Sequence, residues 1–140
     1  MLKKILLVCF VSVLFMSQSI HADATTVTPE CGQTTISNET GNRWSDTQYY
    51  SIHVSSSGNT ITSLLSVVAY NTNTSISGMM YLERYDGGTW KCVKFWAISG
   101  KGKVSISKTY NGTNGKKYRA RFVIRVGSDN ISDTSNEITL

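Results

Sequence analysis

Polar and apolar side chains alternate along much of this chain with a period of two, the spacing a β-strand needs to present two unlike faces. The clearest case is 117–126. Tyr118, Ala120, Phe122, Ile124 and Val126 fall on one side, and Lys117, Arg119, Arg121, Val123 and Arg125 on the other, so one face is core and the other basic. The largest side chains gather in 79–98, which reads as a β-hairpin. Met80, Leu82 and Arg84 alternate with Met79, Tyr81, Glu83 and Tyr85, and Asp86-Gly87-Gly88 supplies a tight turn that accepts positive φ. On the return strand, strict alternation places Trp90, Cys92, Lys94 and Trp96 together, opposite Lys91, Val93, Phe95 and Ala97.

Weaker patterns fill in the rest. Residues 48–54 set Tyr50, Ile52 and Val54 against Tyr49, Ser51 and His53, and Ser55-Ser56-Ser57-Gly58-Asn59 breaks the run. Residues 60–70 are apolar on both sides, with Ile61, Leu65, Val67 and Ala69 against Leu64, Val68 and Tyr70, as in a central strand covered on both faces; a short buried helix has the same signature. After Gly100-Lys101-Gly102, residues 103–110 point Val104 and Ile106 inward, and 111–115 form a glycine- and asparagine-rich turn. Short strands are expected at 33–37 and 136–140. About seven short strands, with turn signals between them and no convincing helix, predict an all-β fold, an antiparallel two-layer sandwich. Tyr118, Phe122 and Ile124 are expected to point into it, with Trp90 or Trp96 packed near them.

The N-terminus is of another kind. Lys3-Lys4, an apolar run over 5–16 and the small-residue stretch ending Ala22-Asp23-Ala24 read as a secretory signal peptide over 1–24. Its twelve apolar residues fall short of the roughly 20 that span a bilayer. Residues 25–140 are then a single sandwich domain, with no later segment apolar enough to cross a membrane. The expected location is outside the cell or at its surface. Cys9 leaves with the signal, and Cys31 and Cys92 remain in an oxidising compartment, where a disulfide between them is expected. That bridge closes a loop of about 60 residues, worth roughly 4 kcal/mol on the chain-entropy estimate. Two buried thiols are the plain alternative, and the remaining histidine and cysteines cannot complete a zinc shell by themselves.

Composition then bears on chemistry. His53 is the one histidine beyond the signal, and it sits among serines on the polar side of its strand. No Gly-x-Ser-x-Gly elbow, phosphate-cradling glycine loop or calcium-loop spacing occurs, and no pair of the remaining carboxylates stands out as a general acid and base. A non-enzyme without cofactor is the expectation.

The hairpin carries a resemblance. Leu82-x-Arg84-Tyr85-Asp86-Gly87-Gly88-x-Trp90-x-x-Val93-x-x-Trp96, with Lys108-x-Tyr110 and Gly115-x-x-Tyr118-Arg119 further on, resembles the core pattern of small secreted proteins common in Gram-positive, especially clostridial, bacteria. The similarity covers about 76–126. It implies an immunoglobulin-like sandwich and a family of unknown function; it carries over no catalytic residue.

Charge is more informative. Between Arg84 and Arg125 stand eleven basic side chains and one acid, Asp86. If neighbouring strands project Lys91, Lys117, Arg119, Arg121 and Arg125 to one side, they form a basic face that attracts polyanions. An anionic cell-wall polymer or a surface protein is the expected partner, and nucleic acid ranks last for want of a recognisable binding module. The alternative class is a small secreted effector, toxin-like or bacteriocin-like, whose positive face meets a membrane. The bland alternative is a solvated face that keeps the domain soluble.

Overall fold

A computed structural model describes residues 44–140. The expected signal peptide, the strand at 33–37 and Cys31 lie outside the described residues. Eight strands follow in order: β1 (Thr47–Ser57), β2 (Thr60–Ala69), β3 (Ser75–Asp86), β4 (Thr89–Lys101), β5 (Lys103–Asn111), β6 (Lys117–Val126), β7 (Asp129–Thr134) and β8 (Ile138–Thr139). Every pairing is antiparallel. One sheet runs β1-β2-β5 and the other β4-β3-β6-β7, with β8 also on β6. Hairpins β1–β2, β3–β4 and β6–β7 stay within a sheet, whereas the chain changes sheet at β2–β3, β4–β5 and β5–β6. This is the Greek-key order of an immunoglobulin-like two-layer sandwich.

The turns follow their sequences. Gly58, Gly87 and Gly127 all have positive φ, at 55°, 60° and 57°, and each opens a two-residue connection between paired strands. Gly78 has another role. It sits inside β3, and a Cβ there would overlap the Val123 carbonyl oxygen and lie 2.7 Å from the Ile124 Cα, so the glycine lets β3 and β6 approach.

The core is continuous between the sheets. Phe122, Ile124, Met80 and Ile76 from the larger sheet meet Leu65, Val67 and Val104 from the smaller one, and Tyr118, Leu82 and Ala120 meet Val54 and Ile61 at the other end. Trp96 touches both groups, as expected for a tryptophan beside Tyr118 and Phe122. Tyr118, at the start of β6, accepts a 2.8 Å hydrogen bond on its hydroxyl from the Thr113 amide. This is the tyrosine corner of immunoglobulin-like domains, which fixes the β5–β6 crossover.

Three expectations change. Trp90, Cys92 and Trp96 do not share a face. Glu83 pairs with Cys92 but Leu82 with Lys94, so Val93 is an extra residue, a β-bulge. Beyond it the alternation reverses: Trp96 and Ile98 pack inward, while Trp90 and Cys92 stand outward with Tyr85 and Glu83. Second, β2 is central but covered on one face, since Leu64 and Tyr70 are exposed at 42% and 65%. Third, the C-terminal chain holds two strands rather than one, and the added strand, β7, has one buried apolar residue, Ile131.

Polar side chains clasp one side of the sandwich. The Asp129 carboxylate accepts from the amides of Ser45, Asp46 and Thr47 at 3.1, 2.9 and 2.8 Å and from the Thr47 hydroxyl at 2.9 Å. Asp46 answers by accepting from the amide and hydroxyl of Ser128, both at 2.7 Å. Further along, Tyr50 donates to Asp133 at 3.0 Å, and Asn136 both accepts from the Val54 amide and donates to the Val54 carbonyl. Burial, reinforced by the Asp133 carboxylate, pushes the Tyr50 hydroxyl up to about 12.

Burial also pushes the Asp129 carboxyl up, but its hydrogen bonds outweigh this and hold it below the usual carboxylate range. A carboxyl whose folded pKa is depressed contributes stability above its unfolded pKa, about 3.9, and the contribution is lost as pH falls through the folded value. Urea unfolding at a series of pH values is therefore expected to show stability falling below about pH 4. Asp129→Asn should flatten that fall and lower stability at neutral pH by about 2 kcal/mol. Equal acid dependence in the two proteins would remove Asp129 from the account.

Candidate functional site

The outward side of β6 is where the sequence places its basic face. By register, Arg119 stands across from Glu83 and Arg121 across from Tyr81 on β3. Glu83 takes both guanidiniums, Arg119 Nε at 2.8 Å on one oxygen and Arg121 Nε at 2.7 Å on the other. Aromatic rings hold the same two groups: Arg119 lies 4.3 Å from the Trp90 ring centroid and Arg121 4.3 Å from that of Tyr81. Glu83 is 6% exposed and Tyr81 7%, so this is a packed ion-pair and aromatic layer rather than a bare cationic surface.

The remaining candidates do not join it. Arg125 is exposed and donates from Nε to the Gly127 carbonyl at 2.9 Å, and Lys117 is exposed at the start of the strand. Lys91 pairs with Arg84, and Arg84 with Tyr118, so Lys91 belongs to the opposite face of the sheet from Arg119. Arg84 and Lys116 share Asp86, at 2.6 and 3.1 Å. The Arg84 hydrogen bond, then that of Lys116, holds the Asp86 carboxyl below its ordinary value. The five residues expected to make one basic face are thus split between two faces, and two of them share one carboxylate.

The larger share of uncompensated charge lies elsewhere, along the side where β4 and β5 form the free edges of the two sheets. Lys91, Lys94 and Lys101 on β4 and Lys103 and Lys108 on β5 are all exposed. Neither strand contains an acidic residue, and no ion pair among the described residues involves these five. Carboxylates gather on the opposite side: Asp46 before β1, Asp129 and Asp133 on β7 and Glu137 before β8. The sandwich is polarised from one edge to the other. The sequence does hold the signal, since no Asp or Glu occurs from 87 to 128, but reading a single strand pointed to β6 instead.

Other candidate chemistry is dispersed. His53 is exposed on the outer face of β1 across from Leu64. Among the described residues no three His, Cys, Asp or Glu side chains cluster as metal ligands. Cys92 stands on the outer face of β4 across from Glu83, while its expected partner Cys31 lies outside the described residues.

Comparison with known proteins adds little. No protein-family model matches the chain, and no curated protein matches it. Among solved structures, the solution structure of CsgH from R. palustris is similar, with 14% sequence identity and a TM-score of 0.41 over 64% of this chain and 89% of that one.

Proposed function

We propose that this is a secreted, non-catalytic module that adheres to an anionic surface or polymer with its β4–β5 side foremost. The observation that carries the reading is the separation of charge across the sandwich: five lysines without a carboxylate on β4 and β5, and four carboxylates at the opposite edge. Such a distribution both attracts an anionic partner and orients the domain against it, since turning the other edge forward is repulsive. Scattering the same charges would serve solubility equally well and without the mutual repulsion. The engagement of Arg119 and Arg121 by Glu83 and by the Trp90 and Tyr81 rings supports placing the contact at the edge rather than on the face of β6.

Retention on vesicles containing anionic lipid, measured across a salt series, tests this. The wild-type domain is expected to bind at low salt and to release as ionic strength passes the physiological value, where the screening length is about 8 Å. The triple variant Lys91→Gln, Lys94→Gln, Lys108→Gln should elute at markedly lower salt, whereas Lys117→Gln with Arg125→Gln should shift less. If the triple variant and wild type elute together at every salt concentration, the edge is a solvated surface and the reading falls. Release of trapped dye from the same vesicles would instead favour a membrane-active effector.

A further inference from the structure

We infer that the partner of the β4–β5 side is a linear polymer of repeating anionic groups, recognised by its charge density rather than by the shape of any one group; this rests on the binding function proposed above. The first argument is the kind of donor left over. Arginine, whose planar fork matches a single phosphate or carboxylate in two-point contact, is the residue for a discrete anion. Three of the four arginines among the described residues are paired with carboxylates within the domain, Arg84 on Asp86 and Arg119 and Arg121 on Glu83, and the fourth, Arg125, lies on β6, away from this side. The cations of β4 and β5 are lysines alone, each exposed, a point charge on a flexible stem with little geometric demand.

The second argument is extent. At about 3.3 Å per residue, Lys91 and Lys101 stand about 33 Å apart along β4, and Lys103 and Lys108 about 17 Å apart along β5. No small anion spans such distances, whereas a chain of repeating charges meets several lysines at once and gains from releasing the counterions condensed on it.

The third argument excludes a partner strand. Unpaired sheet edges invite one, but both edges carry the devices that refuse it. On β4 the Val93 bulge interrupts the regular backbone between Lys91 and Lys94. On β5, Lys108 occupies an inward-facing position, across from the buried Ser63. Contact at this side is therefore made by side-chain ammonium groups rather than by a backbone ladder.

The experiment is a titration of the domain with inorganic phosphate, tripolyphosphate, long linear polyphosphate and poly-glutamate of matched charge, each over a salt series, beside the anionic vesicles above. The long chains are expected to bind at least about a hundredfold more tightly than phosphate or tripolyphosphate at low salt. The slope of log affinity against log salt should fall by about one for each of Lys94→Gln and Lys108→Gln. Comparing the two long chains tells a phosphate-bearing polymer from a carboxylate-bearing one. Tripolyphosphate binding as tightly as the long chain would overturn the inference in favour of a discrete anion site. Poly-glutamate binding that persists at about 1 M salt, where the screening length is about 3 Å, would overturn it in favour of strand addition. Vesicle binding with no binding to free chains overturns the inference and leaves the proposed function standing, and binding to neither overturns both.

Discussion

Replacing Phe122 with alanine is expected to destabilise the domain by about 4 kcal/mol, a large share of the roughly 5–15 kcal/mol that holds a domain of this kind folded. Phe122 is fully buried near the middle of β6, directly across from Met80 on β3. Its ring meets Tyr50 of the facing sheet edge to face at 5.2 Å, and Tyr50 in turn lies tilted against Trp44 at 5.1 Å. Truncation therefore loses both the transfer energy of the ring and an aromatic contact that joins the two sheets. Both flanking strands are held by hydrogen-bonded ladders and cannot close over the space, so the cost lies toward the upper end for such changes. Urea unfolding of wild type and Phe122→Ala measures it. An unchanged midpoint would mean that the inward and outward faces of β6 have been exchanged.

Glu83→Ala is expected to cost about 3 kcal/mol, less than a fully buried ion pair would because the partners are not sealed from water. The Arg119 and Arg121 side chains are 24% and 14% exposed. They are two residues apart on one face, so removing the carboxylate leaves two adjacent cations that repel each other beside rings already in place. A double-mutant cycle with Arg121→Ala isolates the pair, with a coupling of at least about 1 kcal/mol expected. The same variant has a functional readout: unmasking two guanidiniums on β6 should strengthen retention on anionic vesicles. A stability loss below about 0.5 kcal/mol, in the range of a surface ion pair, would mean that Arg119 and Arg121 are solvated and available to a ligand, restoring the face that the sequence suggested.

That face shows where sequence reading succeeds and where it fails. The alternation in 117–126 is correct at every position, and the turn at Gly87-Gly88 lies where its φ requirement puts it. Both signals are local. Ion pairing across strands is not, and the acid that matters, Glu83, stands one residue outside the basic run and 36 residues from Arg119. Counting charges along the chain cannot detect it; once β3 is placed beside β6, the register brings them together. The bulge at Val93 leaves a partial trace in the sequence. Strict alternation puts Lys94 between two tryptophans on a face that must also hold Ile98, and that conflict is the mark of an inserted residue. β2 misleads for the opposite reason. Leu64 and Val68 suit a pleated strand without being buried, so strand preference there mimics the pattern of burial. β7 leaves almost no hydrophobic pattern because an edge strand needs one good apolar anchor, and Ile131 is that anchor.

The clasp at the closed side also bears on how the domain resists force. Asp129 holds the start of β1, Asp133 holds Tyr50, and Asn136 holds Val54, so the partners advance together along both segments with a sequence separation of 82 to 84 residues. β1 and the C-terminal segment therefore run parallel, with Trp44 near one end of the sandwich and Leu140, against Gly112, near the other. Tension between these ends slides the two segments past each other and loads every contact of the clasp at once instead of opening them one by one.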